Sequence, residues 1–271
     1  SKPKKDEKDI YGIISPSNAK PYDTSEIIER LVDNSEFQEY KEKYGQTIVC
    51  GYARIDGWSV GIVANQREIV KSAKGEMQFG GVIYSDSADK ASRFIMNCNQ
   101  RRIPLVFLQD VTGFMVGTRS EHGGIIKDGA KLVSAVSNSV VPKFPIVMGN
   151  SYGAGNYAMC GKAYDPRLIV AWPNSKIAVM GGEQAAKVLA QIQVSSLKAK
   201  GQEPDEDTQK ELFDKIKNRY ESQTTPQYAA ARLWTEAIID PIDTRKWISM
   251  GIEAADHNPE IEKFNVGVIQ T

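Results

Sequence analysis

Residues 144–161 read FPIVMGNSYGAGNYAMCG. Pro145–Met148 is a short apolar run, the mark of a strand buried on both faces. It leads into a glycine-rich turn, and the turn opens a helix. The first backbone N–H groups of a helix have no intrahelical acceptor, and the helix dipole adds partial positive charge there. The stretch therefore predicts a place that holds a negative oxygen, and three chemistries compete for it.

Gly149-Asn150-Ser151-Tyr152-Gly153 matches G-x-S-x-G, the nucleophile elbow of α/β-hydrolases, with Ser151 as nucleophile. His122-Gly123-Gly124 upstream imitates the matching oxyanion loop. The spacing opposes this reading, because only one helix fits between Gly124 and Phe144. Its triad would also need His257, which sits beside Asp256 near a helix end. Gly153-Ala154-Gly155-Asn156-Tyr157-Ala158 matches G-x-G-x-x-A, the dinucleotide fingerprint, which needs an acid at the end of the next strand. The next strand, Leu168–Trp172, ends in Pro173 and Asn174. In the third reading the N–H groups of Ala154 and Gly155 form an oxyanion hole for a carbonyl or enolate oxygen, with no acting side chain. Small residues there let a substrate approach the backbone. A tight turn with no ligand is the remaining alternative.

Outward from this stretch, strands and helices alternate. Upstream, IVCGYAR, Asp56-Gly57 and WSVGIVA predict a β-hairpin. Asp23 with Glu26 predicts a capping box before a helix over Ser25–Val32. Ser87–Arg101 carries Ala88, Ala91, Phe94 and Cys98 at helical spacing. Ile103–Leu108 is a second buried strand. A glycine-rich loop over Asp110–Gly124 precedes a helix over Ile125–Ser137, with Ile126, Ala130 and Val133 expected on its core face. Downstream, Leu168–Ala171 and Ile177–Met180 read as short strands. Gly181-Gly182 open a long helix, where they are expected to serve packing. A charged helix carries Leu212, Phe213, Ile216 and Tyr220, and Pro241 and Asp243 precede a last helix with Ile248, Ile252 and Ala255. The alternation predicts an α/β fold with a largely parallel sheet.

The chain has 271 residues, 41% of them hydrophobic and 25% charged, enough apolar material for a sizeable core. Its 34 Lys and Arg balance 34 Asp and Glu, which argues against a protein that holds nucleic acid or an anionic membrane through bulk charge. No apolar run approaches the roughly 20 residues of a membrane span. Cys50, Cys98 and Cys160 lie far apart and fit buried thiols in a reducing compartment. Two histidines, His122 and His257, exclude a His-rich metal site, and no metal is expected. Ser1–Asp9 is almost all charged or small and reads as a solvated tail. The chain opens on Ser1 rather than Met, with no signal-peptide pattern, so an upstream start is expected.

Five stretches carry a family resemblance: CNQRRIPLVFLQDVTGFMVG, GIIKDGAKLVSAVSNSVVPK, MGNSYGAGNYAMCGKAYDPR, AWPNSKIAVMGGEQAAKVL and IIDPIDTR. With them the chain resembles the C-terminal half of the carboxyltransferase β subunit of biotin-dependent acyl-CoA carboxylases. FLQDVTGFMVG and SYGAGNYAMCG look like the 3-methylcrotonyl-CoA carboxylase branch. Lys71–Gly81 departs from that branch as a local insertion.

The resemblance implies a crotonase-like (ClpP-like) spiral of ββα units, with residues 1–20 a tail or linker and 21–271 the C-terminal carboxyltransferase domain. It implies transfer of carboxylate from carboxybiotin to an acyl-CoA, 3-methylcrotonyl-CoA or a related short or branched one, without a catalytic side chain. Biotin would arrive on a partner subunit or domain, and coenzyme A as part of the substrate. Ala154 and Gly155 would donate to the biotin ureido oxygen. Gly113, Phe114, Gly117 and Gly153 would line the biotin cleft, and Tyr157 would shape the acyl pocket. The implied partners are a biotin-carrying α subunit and other β subunits in a hexamer, with neither nucleic acid nor membrane. The compartment would be the cytoplasm in a bacterium or the mitochondrial matrix in a eukaryote. A biotin-dependent decarboxylase subunit, or a hydrolase of related fold using Ser151, are the alternatives.

Overall fold

Asp56 and Gly57 make the turn expected of them. Both have positive φ, 54° and 87°, as in the mirror-image turns that match the twist of paired strands. The computed structural model describes residues 1–14 and 20–267. A short strand β1 (Gln38–Glu39) lies at the sheet edge beside β2 (Ile48–Ile55), which the Asp56-Gly57 turn joins to the antiparallel β3 (Trp58–Asn65). Three short strands follow: β4 (Val70–Lys71) and β5 (Met77–Gln78) pair as a hairpin, then comes β6 (Val82–Ile83). Strand β7 (Leu105–Val111) is parallel to β3, and β8 (Gly113–Phe114) pairs with β6. Strand β9 (Lys143–Tyr152) is parallel to β7. Its first half takes β10 (Val170–Ala171) as neighbour and its last three residues take β11 (Lys176–Ala178). Finally β12 (Ala237–Ile238) adds to β10. The main sheet thus runs β1-β2-β3-β7-β9-β10-β12, with β11 attached to β9.

Ten α-helices accompany the sheet among the described residues, and six of them cover its two faces. On one face lie α1 (Ile10–Ile13), α2 (Thr24–Leu31) and the C-terminal α10 (Thr244–Asp256), packed on Val106, Leu108, Ile146 and Met148. On the other lie α3 (Ser85–Gln100), α5 (Ile125–Ser137) and α6 (Gly153–Ala158), packed on Leu105, Phe107 and Val111. Every residue of β7 is buried, and alternate residues serve opposite faces, as the strand pleat requires. Short α4 (Thr118–His122) sits in the loop after β8. The long pair α7 (Gly182–Ala199) and α8 (Glu206–Ser222) packs chiefly on itself, and α9 (Pro226–Ala230) precedes β12.

Four local expectations are corrected. The buried face of α5 is Ile125, Gly129, Leu132, Ala135 and Val136, while Ile126 is 73% exposed and Ala130 is exposed. Asp23 does cap α2 through the Ser25 N–H, but Glu26 turns to Lys5 and Arg30 instead of completing a capping box. The apolar side chains of α8 are only half-buried. The expected tail is fastened: Ile10 is fully buried, the Lys4 and Lys5 N–H groups bond Ser35 Oγ, and Arg245 donates to the Ser1 carbonyl and to Asp33. Lys4, Lys5 and Asp9 pair with Glu36, Glu29 and Arg30 of the domain surface, so the segment lies against it. Residues 15–19, within the expected linker, lie outside the described residues.

Candidate active site

The site begins where β9 ends. Its register against β7 runs Gln109↔Val147 and then Val111↔Ser151, so two steps on β7 face four on β9. Such a bulge leaves ladder groups unpaired. The Asn150 N–H is taken by Asp110 Oδ1 at 2.9 Å. A Cβ on Gly149 would lie 2.5 Å from that carboxyl group, so only glycine fits there. Asp110 is 2% exposed. Its other oxygen accepts from Tyr22 Oη at 2.9 Å and faces Arg67 Nε at 3.2 Å. Burial pushes the Asp110 carboxyl up, while Arg67 and the donors from Asn150 and Tyr22 act against it. Tyr152 Oη donates to Asn150 Oδ1 at 3.0 Å; burial pushes that phenol up to about 12, which keeps its proton in place.

Gly153 then turns the chain with φ +51°, and a Cβ there would meet the Val179 carbonyl oxygen at 2.7 Å. A Cβ on Gly155 would lie 2.7 Å from Val111 Cγ2 and 3.2 Å from Gly113 Cα. Glycine at 155 therefore lets α6 settle directly on β7 and β8. At six residues, α6 is too short for a large dipole. Its contribution is the N–H groups of its first turn, which have no intrahelical acceptor. Among the described residues no hydrogen bond engages the N–H of Ala154 or Gly155. Ala154 is exposed.

Ser151 is fully buried. Its Oγ donates to Gln109 Oε1 at 2.7 Å and accepts from Asn156 Nδ2 at 2.8 Å. No base reaches it, and both histidines are exposed. The nucleophile elbow is therefore ruled out by geometry. The dinucleotide fingerprint also fails: the chain after β10 passes through the buried Trp172, whose Nε1 donates to Thr244, and brings no acid to the turn. The three thiols are buried and burial pushes each up to about 12, which leaves them inert. No cluster of metal-ligating side chains occurs among the described residues.

The structure brings Gly113, Gly153, Ala154 and Gly155 together. Tyr157 follows on α6, half exposed, its ring edge-on to Tyr164 at 5.7 Å. Phe114 turns its ring onto Gly129 of α5. Gly117, with φ +105°, lines a separate cleft of about 750 Å³ between the β4–β5 hairpin and the start of α4. Glu76 on the hairpin pairs with Arg119 across that cleft. The hairpin overlaps the Lys71–Gly81 stretch that the sequence reading takes as a local insertion. Sequence reasoning missed Gln109, Asp110 and Arg67. The signal was present in Gln109-Asp110, two polar residues closing an otherwise apolar buried strand.

A model of the carboxyl transferase domain matches residues 1–266, so the fastened N-terminal segment falls inside the match. The chain is 47% identical over 97% of its length to a probable mitochondrial methylcrotonoyl-CoA carboxylase beta chain of Drosophila melanogaster, covering 43% of that protein. It is 45% identical over 99% of its length to the biotin-dependent 3-methylcrotonyl-coenzyme A carboxylase beta1 subunit of Mycobacterium tuberculosis, covering 48% of it. Among solved structures, the geranyl-CoA carboxylase beta subunit of P. aeruginosa superposes with a TM-score of 0.82 at 38% identity, over 98% of this chain and 48% of that one. The transcarboxylase 12S hexamer subunit superposes with a TM-score of 0.83 at 33% identity, over 97% and 48%. The fold is accordingly crotonase-like, and the chain spans about half the length of the relatives it matches.

Proposed function

The chain belongs to the carboxyl transferase family, and on that premise we propose that it forms the biotin-receiving half of an acyl-CoA carboxylase β subunit. Its acyl substrate is 3-methylcrotonyl-CoA or a related short or branched acyl-CoA, as the names of the two curated relatives suggest. The observation that carries the reading is the unengaged pair of N–H groups on Ala154 and Gly155, set beside a serine sealed from solvent.

The residues present fit a ureido carbonyl. That group offers one oxygen and needs donors, not a nucleophile. Gly113 has open space where a Cβ would stand, and Gly153 and Gly155 let the turn and α6 pack closely enough to hold the two donors beside it. When bound, carboxybiotin supplies the activated carboxylate. The chain's own part is to hold the ureido oxygen on the Ala154 and Gly155 N–H groups and to stabilise negative charge gathering there. Tyr157, half exposed on the same short helix, would border the acyl group. The acyl-CoA itself would be held by the part of the relatives' length that residues 1–271 do not span. A biotin-carrying subunit and further copies of the β subunit are the proposed partners, the 12S relative being described as a hexamer. The eukaryotic relatives are named as mitochondrial, which suggests the matrix for a eukaryotic source and the cytoplasm for a bacterial one.

The test is carboxyl transfer between free biotin and an acyl-CoA by the full-length protein, run beside hydrolysis of an activated ester. Transfer without hydrolysis supports the reading; hydrolysis without transfer overturns it. Residues 1–271 alone should give no carboxylated acyl-CoA.

A further inference from the structure

We propose that Gln109, Ser151 and Asn156 form a side-chain relay whose task is to position the Ala154 and Gly155 donors. This inference rests on the function proposed above. Helix α6 has one and a half turns, so its own hydrogen bonds do little to fix the orientation of its first peptide planes. The relay grips it at three points. Gln109 Nε2 donates to the Met159 carbonyl at 2.6 Å and to that of Cys160 at 3.3 Å, holding the helix at its C-terminal end. Gln109 Oε1 accepts from Ser151 Oγ, two residues before the helix begins. Ser151 Oγ accepts from Asn156 Nδ2, in the middle of the helix.

The direction of every bond is forced. The carbonyls of Met159 and Cys160 can only accept, so the Gln109 NH₂ must face them and its oxygen must face Ser151. Ser151 then spends its one proton on Gln109, and its lone pair is left for Asn156. A Cβ on Gly161 would collide with Asn156 Oδ1, so glycine there seats the amide in the orientation the relay needs. Gln109 and Ser151 are fully buried, out of reach of bulk solvent. The relay also accounts for the G-x-S-x-G stretch. Ser151 serves there as a junction between strand and helix, and touches no substrate.

The experiment uses the full-length enzyme, with kcat and KM measured for carboxyl transfer to acyl-CoA and folding followed by thermal melting. Ser151→Ala and Asn156→Ala should each lower kcat by about tenfold to a hundredfold, the range expected when donors shift by a fraction of an ångström to an ångström. KM for acyl-CoA should stay within twofold. Ser151→Thr keeps the hydroxyl and should hold kcat near wild type even where the added methyl lowers the melting temperature in the buried site. A merely structural role makes the opposite forecast, with kcat following the melting temperature through the series. Asn156 is part-exposed, so Asn156→Ala remains readable if Ser151→Ala does not fold. Wild-type kcat in folded Ser151→Ala or Asn156→Ala overturns the relay. A wild-type protein that transfers no carboxylate overturns the functional reading instead.

Discussion

Gln109 and Asp110, at the end of β7, are buried polar residues that each meet more than one partner. Val188, Leu189 and Ile192, on α7, are apolar residues between 43% and 59% exposed. The two regions reverse the usual arrangement in opposite senses. In the first, polar groups are taken out of water because each has a defined partner, and the gain is a turn held in one geometry. In the second, apolar surface stays in water, and α8, with no fully buried residue, gives it little cover. The corner of β7, β9 and α6 is complete within the chain. The α7–α8 pair contributes little to the core and can tolerate change.

The largest effect should come from the corner. Arg67→Met leaves the Asp110 carboxylate buried without its guanidinium. Removing one partner of a buried pair typically costs about 3–5 kcal/mol. Urea unfolding should show that loss, and Asp110→Asn added to it should recover a good part. A loss below about 1 kcal/mol would mean the corner is no tighter than the surface.

Tyr157 lies at the boundary of the rigid corner, on α6 but half exposed. Tyr157→Asp should leave stability nearly unchanged and shift relative kcat/KM between branched and linear acyl-CoAs by about 1–3 kcal/mol, the worth of a small change in a pocket. Equal loss on every acyl-CoA would return Tyr157 to the packing of Tyr164. The smallest effect should be at α7. Ile192→Ser should move the unfolding free energy by no more than about 0.5 kcal/mol. A much larger drop would mean that α7 is held by contacts of the same quality as the corner.

The same contrast explains what could be read from the sequence. The β2–β3 hairpin was legible because Asp-Gly demands one turn type. Strands β7 and β9 were legible because their apolar runs are long enough to exclude a surface position. The tight turn into α6 was legible because glycines at 153 and 155 mark a close approach of backbone to its neighbours. The buried face of α5 was not, because Ile126, Ala130 and Val133 show the same period as Ile125, Gly129, Leu132 and Val136, and a glycine in the true stripe weakens it to the eye. The partners of Asp110 were not legible either. Tyr22, Arg67 and Asn150 come from three distant segments, and only the bulge between β7 and β9 explains why a carboxylate is needed. The docking of Ser1–Asp9 depends on Asp33 and Arg245 in the same long-range way.

The central claim is that two backbone N–H groups hold the reacting partner's oxygen. Ala154→Pro tests it most directly. Proline is tolerated in a first helical turn, Ala154 is exposed, and the substitution deletes one donor without the collision that any side chain at Gly155 would cause. In the full-length enzyme, with Ala154→Gly as the control that keeps the N–H, kcat for carboxyl transfer should fall about 10²–10³-fold in the proline variant, equivalent to roughly 2.7–4 kcal/mol, and stay near wild type in the glycine variant. A folded Ala154→Pro enzyme that transfers carboxylate at the wild-type rate would contradict the account.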